Sequence, residues 1–141
     1  MSTLYSTKVV AVGGRNGSVK SEDGILDLSL AMPKALGGKG GKTNPEQLFA
    51  AGYAACFENA VMHVAHQAKA GIKDDDIEVT ATVSISANES GGFVLAVALD
   101  VVIARIEQTQ AEEIVRQAHA VCPYSNATRG NIDVALNVTT R

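Results

Sequence analysis

The clearest pattern along the chain is a strict alternation of apolar and polar side chains in its second half. Every second residue of Ile77–Ala87 is apolar, with glutamate, threonine and serine between them, and this pattern predicts a strand with one buried face. Asn88–Gly92 consists largely of turn-forming residues and predicts a hairpin into a second, more apolar strand at Phe93–Ile103. Alternation returns from Ile132 to Val138. These segments therefore predict three strands.

The N-terminal part of the chain predicts three shorter strands separated by turns. Leu4–Val12 is composed largely of strand-favouring residues, and the loop Gly13–Gly17 ends in an Asn-Gly pair that favours a tight turn. A second short strand is predicted at Ser18–Ser21. After a turn at Asp23-Gly24, the leucines of Leu26–Leu30 alternate with polar residues and predict a third strand.

A long helix is predicted to follow these strands. Asn44 can cap it, Pro45 suits the first helical position, and Gln47 can complete a capping box. We expect the helix to reach about residue 70 and to end at Gly71. Its first half, Leu48–Phe57, is apolar on every side, which predicts a buried central helix.

A second helix is predicted in the C-terminal part. Thr109–Glu112 fits a capping box that would open this helix. Ile114, Ala118 and Val121 then share its buried face, and Pro123 ends it. The element order βββ-α-ββ-α-β predicts an α+β fold with mostly antiparallel sheets and two main helices, in a single domain over residues 1–141.

Composition and charge restrict the classes of partner. Of the 141 residues, 46% are apolar and 19% are charged, which excludes an intrinsically disordered chain. The 12 Lys+Arg form no basic cluster against 15 Asp+Glu, so we expect no nucleic-acid partner. No apolar run reaches the roughly 18 residues that cross a bilayer, so we expect no membrane association. Met1–Lys8 contains no apolar leader, and a cytoplasmic location is expected.

The chain has only two cysteines, Cys56 and Cys122. In a reducing compartment such residues are more often buried thiols, metal ligands or redox catalysts than a structural disulfide. Burial in the apolar half of the first helix would raise the pKa of Cys56 and make the thiol inert. A reactive Cys56 needs a cation, and that helix has no lysine or arginine between Pro45 and Gln67, so Arg15 in the glycine-flanked loop is a candidate. Cys122 falls at a helix C-terminus, where the dipole disfavours a thiolate, so it suits a resolving role better.

The three histidines together with Cys122 also allow a metal-binding interpretation. His63 and His66 share one face of the first helix, and His119 and Cys122 share one face of the second. A zinc site is conceivable at such spacings, although no Cys-X-X-Cys motif supports it. A metal- or small-ligand-binding domain is therefore the alternative function.

Lys39–Thr43 resembles the end of a phosphate-binding P-loop. Leu36 stands where the first glycine of that motif belongs, and no long buried strand precedes the segment. A flexible surface loop is the preferred interpretation.

Two longer segments resemble a known family. Thr43–Phe57 and Val121–Ala127 closely resemble the two cysteine motifs of the organic hydroperoxide resistance (Ohr) proteins, which are bacterial thiol peroxidases of the Ohr/OsmC family. The resemblance extends over nearly the whole chain, through Gly14–Gly17, Asp23–Asp27 and Gly130–Val134. Two long motifs in the right order make the resemblance highly specific.

The resemblance implies an OsmC-like fold, an intertwined homodimer and a set of site residues. It implies Cys56 as the peroxidatic cysteine, Cys122 as the resolving cysteine, and Arg15 with Glu46 as their polar partners. In this scheme Arg15 stabilises the thiolate and orients the peroxide, while Glu46 holds the guanidinium in a bidentate pair.

The implied activity is the reduction of organic hydroperoxides, which protects against oxidative stress. A Cys56 thiolate attacks the O–O bond, and the resulting sulfenic acid condenses with the second thiol. The apolar neighbours Phe49, Tyr53 and Phe57 favour alkyl or lipid hydroperoxides. No metal, haem or flavin cofactor is required. The resemblance points to a dithiol reductant, namely dihydrolipoyl groups on lipoylated proteins.

Helix geometry limits how this site is assembled. Glu46 and Cys56 are ten residues apart in the first predicted helix, which is roughly 15 Å along its axis. Either this helix breaks near Gly52, or Glu46 and Arg15 reach Cys56 from a second chain. A buried apolar helix needs more cover than one chain of this length readily provides, which favours the second chain.

Overall fold

The computed structural model describes all 141 residues, and its regular elements follow the predicted order. The strands are β1 (Val9–Val12), β2 (Ser18–Ser21), β3 (Asp27–Ser29), β4 (Ile77–Ala87), β5 (Phe93–Ile103) and β6 (Val134–Thr140). The helices are α1 (Pro45–Gln67), α2 (Gln108–Val121) and α3 (Pro123–Thr128). The α+β class is confirmed, and α3 is an addition to the prediction. No helix combines the length and the hydropathy of a membrane-spanning segment.

The chain divides into two compact units, Met1–Leu48 and Phe49–Arg141. The first contains an antiparallel sheet in the order β1-β2-β3. Strand β1 starts at Val9 rather than at Leu4, because Ser21 at the end of β2 is the last residue that pairs with it. The predicted strand is therefore too long by five residues at its N-terminal end.

The second unit contains a sheet in the order β4-β5-β6. Strands β4 and β5 pair antiparallel over their whole length, and their hairpin is closed by Asn88, whose Oδ1 accepts the Gly92 backbone N–H at 2.8 Å. Strand β6 pairs parallel to β5, with Val134 opposite Val97. A parallel neighbour requires a long crossover, and α2 with α3 supplies it. Mostly antiparallel pairing is thus confirmed, with one parallel pair.

The hydrophobic core of the second unit lies between the sheet and the two long helices. Helix α1 contributes Tyr53, Phe57, Val61 and Val64, and β5 contributes Leu99, Val101 and Ile103. Helix α2 adds Ile114, Val115 and Ala118. Each large side chain buried in this way stabilises the fold by about 1.5–3 kcal/mol.

Helix α2 differs from its prediction at both ends. It begins at Gln108 with Glu107 as N-cap and no side-chain cap, so the predicted capping box at Thr109 is wrong. The reason is that Gln108 Nε2 donates to the Val138 carbonyl at 2.8 Å and to Glu112 Oε2 at 3.2 Å, which anchors the first turn on β6. Val121, predicted to be buried, is 51% exposed.

Helix α1 ends earlier than the predicted stop at Gly71. The Lys69 backbone N–H donates to the His66 carbonyl and the Ala70 N–H donates to the Ala65 carbonyl. These two bonds form the Schellman arrangement that terminates helices. Lys69 occupies the left-handed position of this motif at φ 53°, where glycine is the usual residue.

The first half of α1 is less buried than its composition predicts. Ala51 and Ala55 are exposed, while Phe49, Ala50 and Ala54 are only half-buried. The periodicity is right in that Tyr53 and Phe57 face the core. A single chain covers only that side of the helix, and the remaining apolar side stays open.

We expect Asn44→Ala to lower the free energy of unfolding by about 1 kcal/mol. Asn44 Oδ1 accepts the Gln47 backbone N–H at 2.9 Å, so the predicted N-cap is confirmed, and alanine removes it. Asn44→Ser should retain most of the stability. Urea unfolding at one fixed protein concentration measures both variants. Equal midpoints for alanine and serine would contradict the capping role.

Candidate active site

The two cysteines, 66 positions apart in sequence, lie side by side in the second unit. The Cys122 thiol donates toward Cys56 Sγ at a sulfur–sulfur distance of 3.6 Å, and both are free thiols. A disulfide would need the sulfur atoms to approach by about 1.5 Å, since its bond length is near 2.05 Å. Cys122 is 0% exposed, whereas Cys56 is partly exposed. Of the two residues, only Cys56 is therefore open to solutes.

Burial is the main influence on the Cys56 thiol and raises its pKa. A hydrogen bond from the Tyr124 backbone N–H lowers the pKa, and the neighbouring Cys122 thiol raises it. None of these groups is a cation. Within this chain, the net effect disfavours the thiolate.

Helix α3, which was not among the predicted elements, supplies the Tyr124 N–H. Cys122 is the C-cap of α2 and also the N-cap of α3, with an extended backbone at φ −64° and ψ 125°. Pro123 ends α2, as predicted, but it also starts α3 at the first helical position. Proline at that position is a recognised helix-start signal, so α3 could have been predicted from the sequence.

Three aromatic rings from α1 and α3, the helices next to the cysteines, pack on one another. The ring centroids of Tyr53 and Tyr124 lie 5.7 Å apart, and Phe49 lies 6.3 Å from each of them. Tyr124 packs directly over Gly52, where an added Cβ would come within 2.6 Å of the tyrosine oxygen. Glycine is therefore required for this packing. It does not break the helix, because α1 is continuous through Gly52.

A buried polar group lies beside the cysteines and was also missed. Ser125 Oγ lies 2.8 Å from Tyr53 Oη and 2.9 Å from His119 Nδ1. Thr128 Oγ1 lies 3.3 Å from Tyr53 Oη. The apolar pattern of the sequence marks Tyr53 only as a core residue and carries no indication of these contacts.

Arg15 and Glu46 meet in the first unit. Arg15 lies in the helical turn Gly14–Asn16, which packs so tightly that a Cβ on Gly17 would lie 1.8 Å from the Val12 carbonyl. Its two terminal nitrogens donate to the two Glu46 oxygens at 2.6 and 3.0 Å. This bidentate pair is half-buried, and the hydrogen bond raises the pKa of Arg15. A fixed guanidinium of this kind suits recognition of an anion.

The residues of the alternative zinc site do not come together. His63 and His66 are exposed on α1, His66 contacts Asp74 at 3.5 Å, and His119 is bound to Ser125. No group of three or more histidine, cysteine, aspartate or glutamate side chains is arranged to hold a metal ion. The segment Lys39–Thr43 is a loop without helix or strand, as its glycines predict.

Comparison with known proteins agrees with these observations. The family model described as OsmC-like protein matches residues 38–137. The organic hydroperoxide resistance protein OhrB of Bacillus subtilis is 48% identical over 136 residues, covering 96% of this chain and 98% of that protein. A crystal structure of an organic hydroperoxide resistance protein from Legionella pneumophila is 55% identical, with a TM-score of 0.94 and coverage of 98% and 99%. The corresponding Elizabethkingia anophelis structure is 47% identical, with a TM-score of 0.95 over 100% of both chains. The chain therefore belongs to the OsmC-like family, among its organic hydroperoxide resistance proteins.

Proposed function

We propose that this protein is a thiol peroxidase that reduces organic hydroperoxides to alcohols through Cys56 and Cys122. The observation that carries the proposal is the pair of free thiols 3.6 Å apart, one partly exposed and one fully buried. The names of the relatives support a peroxide-detoxifying role.

The first step oxidises Cys56. Its thiolate attacks the terminal oxygen of the hydroperoxide, the O–O bond breaks, and the other oxygen leaves with its alkyl group and takes up a proton as an alcohol. Cys56 is left as a sulfenic acid. Because Cys56 is the accessible sulfur, it is the one that a substrate can reach.

The second step forms a disulfide and protects Cys56 from further oxidation. The Cys122 sulfur attacks the sulfenic sulfur, the S–S bond forms, and the S–O bond breaks to release water. A dithiol then reduces the disulfide and becomes a disulfide itself. A dihydrolipoyl group is the reductant that the family resemblance implies, and it stays a proposal here.

The surroundings of Cys56 support an organic rather than a small polar substrate. Tyr53 and Phe57 are fully buried and offer no surface to a substrate. The half-buried ring of Phe49 and the exposed ring of Tyr124 pack on each other with centroids 6.3 Å apart, and the Tyr124 backbone N–H bonds to Cys56. An alkyl or lipid chain gains free energy on leaving water for such a surface, at about 25 cal/mol per Å² of apolar area. Hydrogen peroxide has no such chain and gains nothing comparable.

The Arg15–Glu46 pair supplies the cation that Cys56 lacks within its own unit. A guanidinium beside the sulfur would favour the thiolate and oppose the effect of burial on the pKa. Glu46 holds the guanidinium plane through two hydrogen bonds, so the remaining donors of Arg15 are oriented toward a peroxide oxygen.

Two observations support an active site shared between the chains of a homodimer. Helix α1 is unbroken, so Glu46 and Cys56 are ten residues apart in one helix, about 15 Å along its axis. Apolar residues are also strongly exposed, with Leu4 at 98% and Tyr5 at 79%, and the outer face of α1 is open at Ala51 and Ala55. A second copy would cover these residues and bring its own Arg15 and Glu46 to Cys56.

We expect Cys56→Ser to abolish hydroperoxide consumption, because a serine hydroxyl near neutral pH is no comparable nucleophile. Cys122→Ser should stop after one equivalent as a Cys56 sulfenic acid, or after further equivalents as an over-oxidised Cys56. Thiol counting and intact mass after addition of an alkyl hydroperoxide measure both variants. The wild-type protein, as control, should lose both thiols. Full dithiol-dependent turnover by Cys56→Ser would refute the assignment.

We expect Arg15→Ala to raise the pKa of Cys56, since burial then acts without an opposing cation. Each unit of increase lowers the thiolate fraction about tenfold at pH values below the pKa, and the higher intrinsic reactivity of the more basic thiolate leaves a net loss of about threefold. Arg15→Lys should recover little, because an ammonium lacks the planar fork. Arg116→Ala, which removes an exposed arginine on α2, is the matched control. Alkylation rates across pH test this, and an unchanged Cys56 pKa in Arg15→Ala would contradict the role.

The shared site predicts complementation between an inactive chain and a slowed one. A heterodimer of Cys56→Ser and Arg15→Ala chains has one site with both lesions and one intact site. Random pairing of equal amounts should therefore leave about a quarter of all sites intact, which adds about a quarter of the wild-type activity to the residual activity of the Arg15→Ala chains. Pairing Cys56→Ser with Cys122→Ser should restore none, because both cysteines of a site come from one chain. Activity is measured after co-refolding, with heterodimer content verified by mass. Verified heterodimers without this added activity would refute the cross-chain site.

A further inference from the structure

The buried hydrogen-bonded group of Tyr53, His119 and Ser125 connects three helices. Helix α1 carries Cys56, and Cys122 lies between α2 and α3. Tyr53 lies three residues before Cys56 in α1, and His119 lies three residues before Cys122 in α2. Ser125 lies three residues after Cys122 in α3. Residues three apart in a helix share one face. The Ser125 hydroxyl therefore joins the turn before each cysteine to the first turn of α3.

We propose that Ser125 is a positioning residue for closure of the Cys56–Cys122 disulfide, acting through its hydrogen bonds to Tyr53 and His119. The inference rests on the proposed peroxidase function and adds residues to it. The step concerned is the attack of the Cys122 sulfur on the sulfenic sulfur of Cys56, in which the S–S bond forms as the S–O bond breaks and the oxygen leaves as water with the thiol proton.

The position of Cys122 between two helices explains how the Ser125 hydroxyl can affect the Cys122 sulfur. Cys122 is the single residue between α2 and α3, and its backbone is extended. The location of its sulfur therefore depends on the angle between these helices. Ser125, in α3, is held to His119 in α2 at 2.9 Å and to Tyr53 in α1 at 2.8 Å, which sets that angle relative to Cys56.

The group is fully satisfied, so it has one preferred arrangement. Tyr53 and Ser125 are each 0% exposed, and no buried side-chain polar atom in the chain lacks a partner. The Arg129 guanidinium donates to the His119 carbonyl and, at 2.5 Å, to Asn126 Oδ1, which ties the end of α3 to α2. A buried hydroxyl left without its partner would be costly, and the helices would shift to satisfy it.

The protonation of His119 agrees with this role. Burial and, to a smaller extent, the charge of Arg129 lower the pKa of His119, so the imidazole is neutral near pH 7. A neutral Nδ1 can accept the Ser125 hydroxyl proton, and the Ser125 oxygen can then accept the Tyr53 hydroxyl proton. The three groups form one directed chain of hydrogen bonds.

Disulfide closure is the step most sensitive to this arrangement. The sulfur atoms must approach from 3.6 Å to a bond length of about 2.05 Å. Displacement of α3 lengthens this path, and a second hydroperoxide then competes for the sulfenic acid and produces a sulfinic acid. The initial attack on hydroperoxide uses the partly exposed Cys56 and depends far less on where Cys122 lies.

The test compares Ser125→Ala and Tyr53→Phe with the wild-type protein. Tyr53→Phe removes the hydrogen bond between Tyr53 Oη and Ser125 Oγ but keeps the ring packing. It therefore tests the role of this bond even if Ser125→Ala does not fold. Ser21→Ala is the matched control, since Ser21 is a buried serine with hydrogen bonds to Asp23 at 2.6 Å and the Leu26 N–H at 3.0 Å. Stopped-flow oxidation by an alkyl hydroperoxide measures the rate at which Cys56 is oxidised. Alkylation of samples quenched at successive times, followed by mass analysis, measures the rate of disulfide formation and the fraction of sulfinic acid.

We expect Ser125→Ala and Tyr53→Phe to slow disulfide closure about threefold to tenfold, the loss of one neutral hydrogen bond, and to raise the sulfinic fraction accordingly. Cys56 oxidation should change by less than about twofold. Ser21→Ala should lower the free energy of unfolding about as much as Ser125→Ala does. Its sulfinic fraction should nevertheless equal that of the wild-type protein. An unchanged closure rate in a folded variant, or an equal rise in Ser21→Ala, would overturn the inference alone. Failure of the wild-type protein to form the disulfide would instead overturn the proposed function beneath it.

Discussion

The approach of two sulfur atoms to 3.6 Å is the contact around which the rest of this molecule is arranged. Cys56 and Cys122 are far apart in sequence, so their meeting depends on how α1 packs against the junction of α2 and α3. That packing is set by the core, in which Tyr53 and Phe57 of α1 and Ala118 of α2 are completely buried. Because protein interiors are close-packed, a change of one side chain in this region would move the sulfur atoms as well.

Burial has different consequences for the two cysteines. Full burial of Cys122 keeps its thiol away from solutes and available to one partner, the neighbouring Cys56. Partial burial of Cys56 leaves it open to the proposed substrate but raises the pKa of its thiol. The proposed peroxidase mechanism therefore needs a cation from outside the unit that contains Cys56. The bidentate Arg15–Glu46 pair is suited to that role, and a second chain is the proposed route by which it arrives.

The hydrogen-bonded group at Ser125 fixes the relative positions of helices within a largely hydrophobic core. Apolar packing alone tolerates small sliding between helices, since dispersion contacts have no strong direction. Hydrogen bonds among Tyr53, Ser125 and His119 have defined lengths and angles, and their burial makes a lost partner costly. Three helices are thereby held at one relative arrangement close to the reacting atoms.

Much of the fold could be predicted from local patterns. Alternation over Ile77–Ala87 defined β4, and Asn88–Gly92 defined its hairpin, because periodicity records which face of an element is buried. Asn44 and Pro45 marked the start of α1, because capping is a local hydrogen bond. The two cysteine motifs identified the family and both cysteines of the candidate site.

Tertiary structure decided what depends on contacts between distant elements. Strand β1 begins where β2 can pair with it, α2 begins where Gln108 reaches β6, and β6 lies parallel to β5 because α2 and α3 cross over between them. The contacts of Ser125 with Tyr53 and His119 join residues from three helices. By itself, the sequence determined the order and periodicity of the elements, their local caps and turns, and which motifs are present. Only the packed chain decided which of those side chains meet, because distances between remote residues are set by the shape and packing of whole elements rather than by any local pattern.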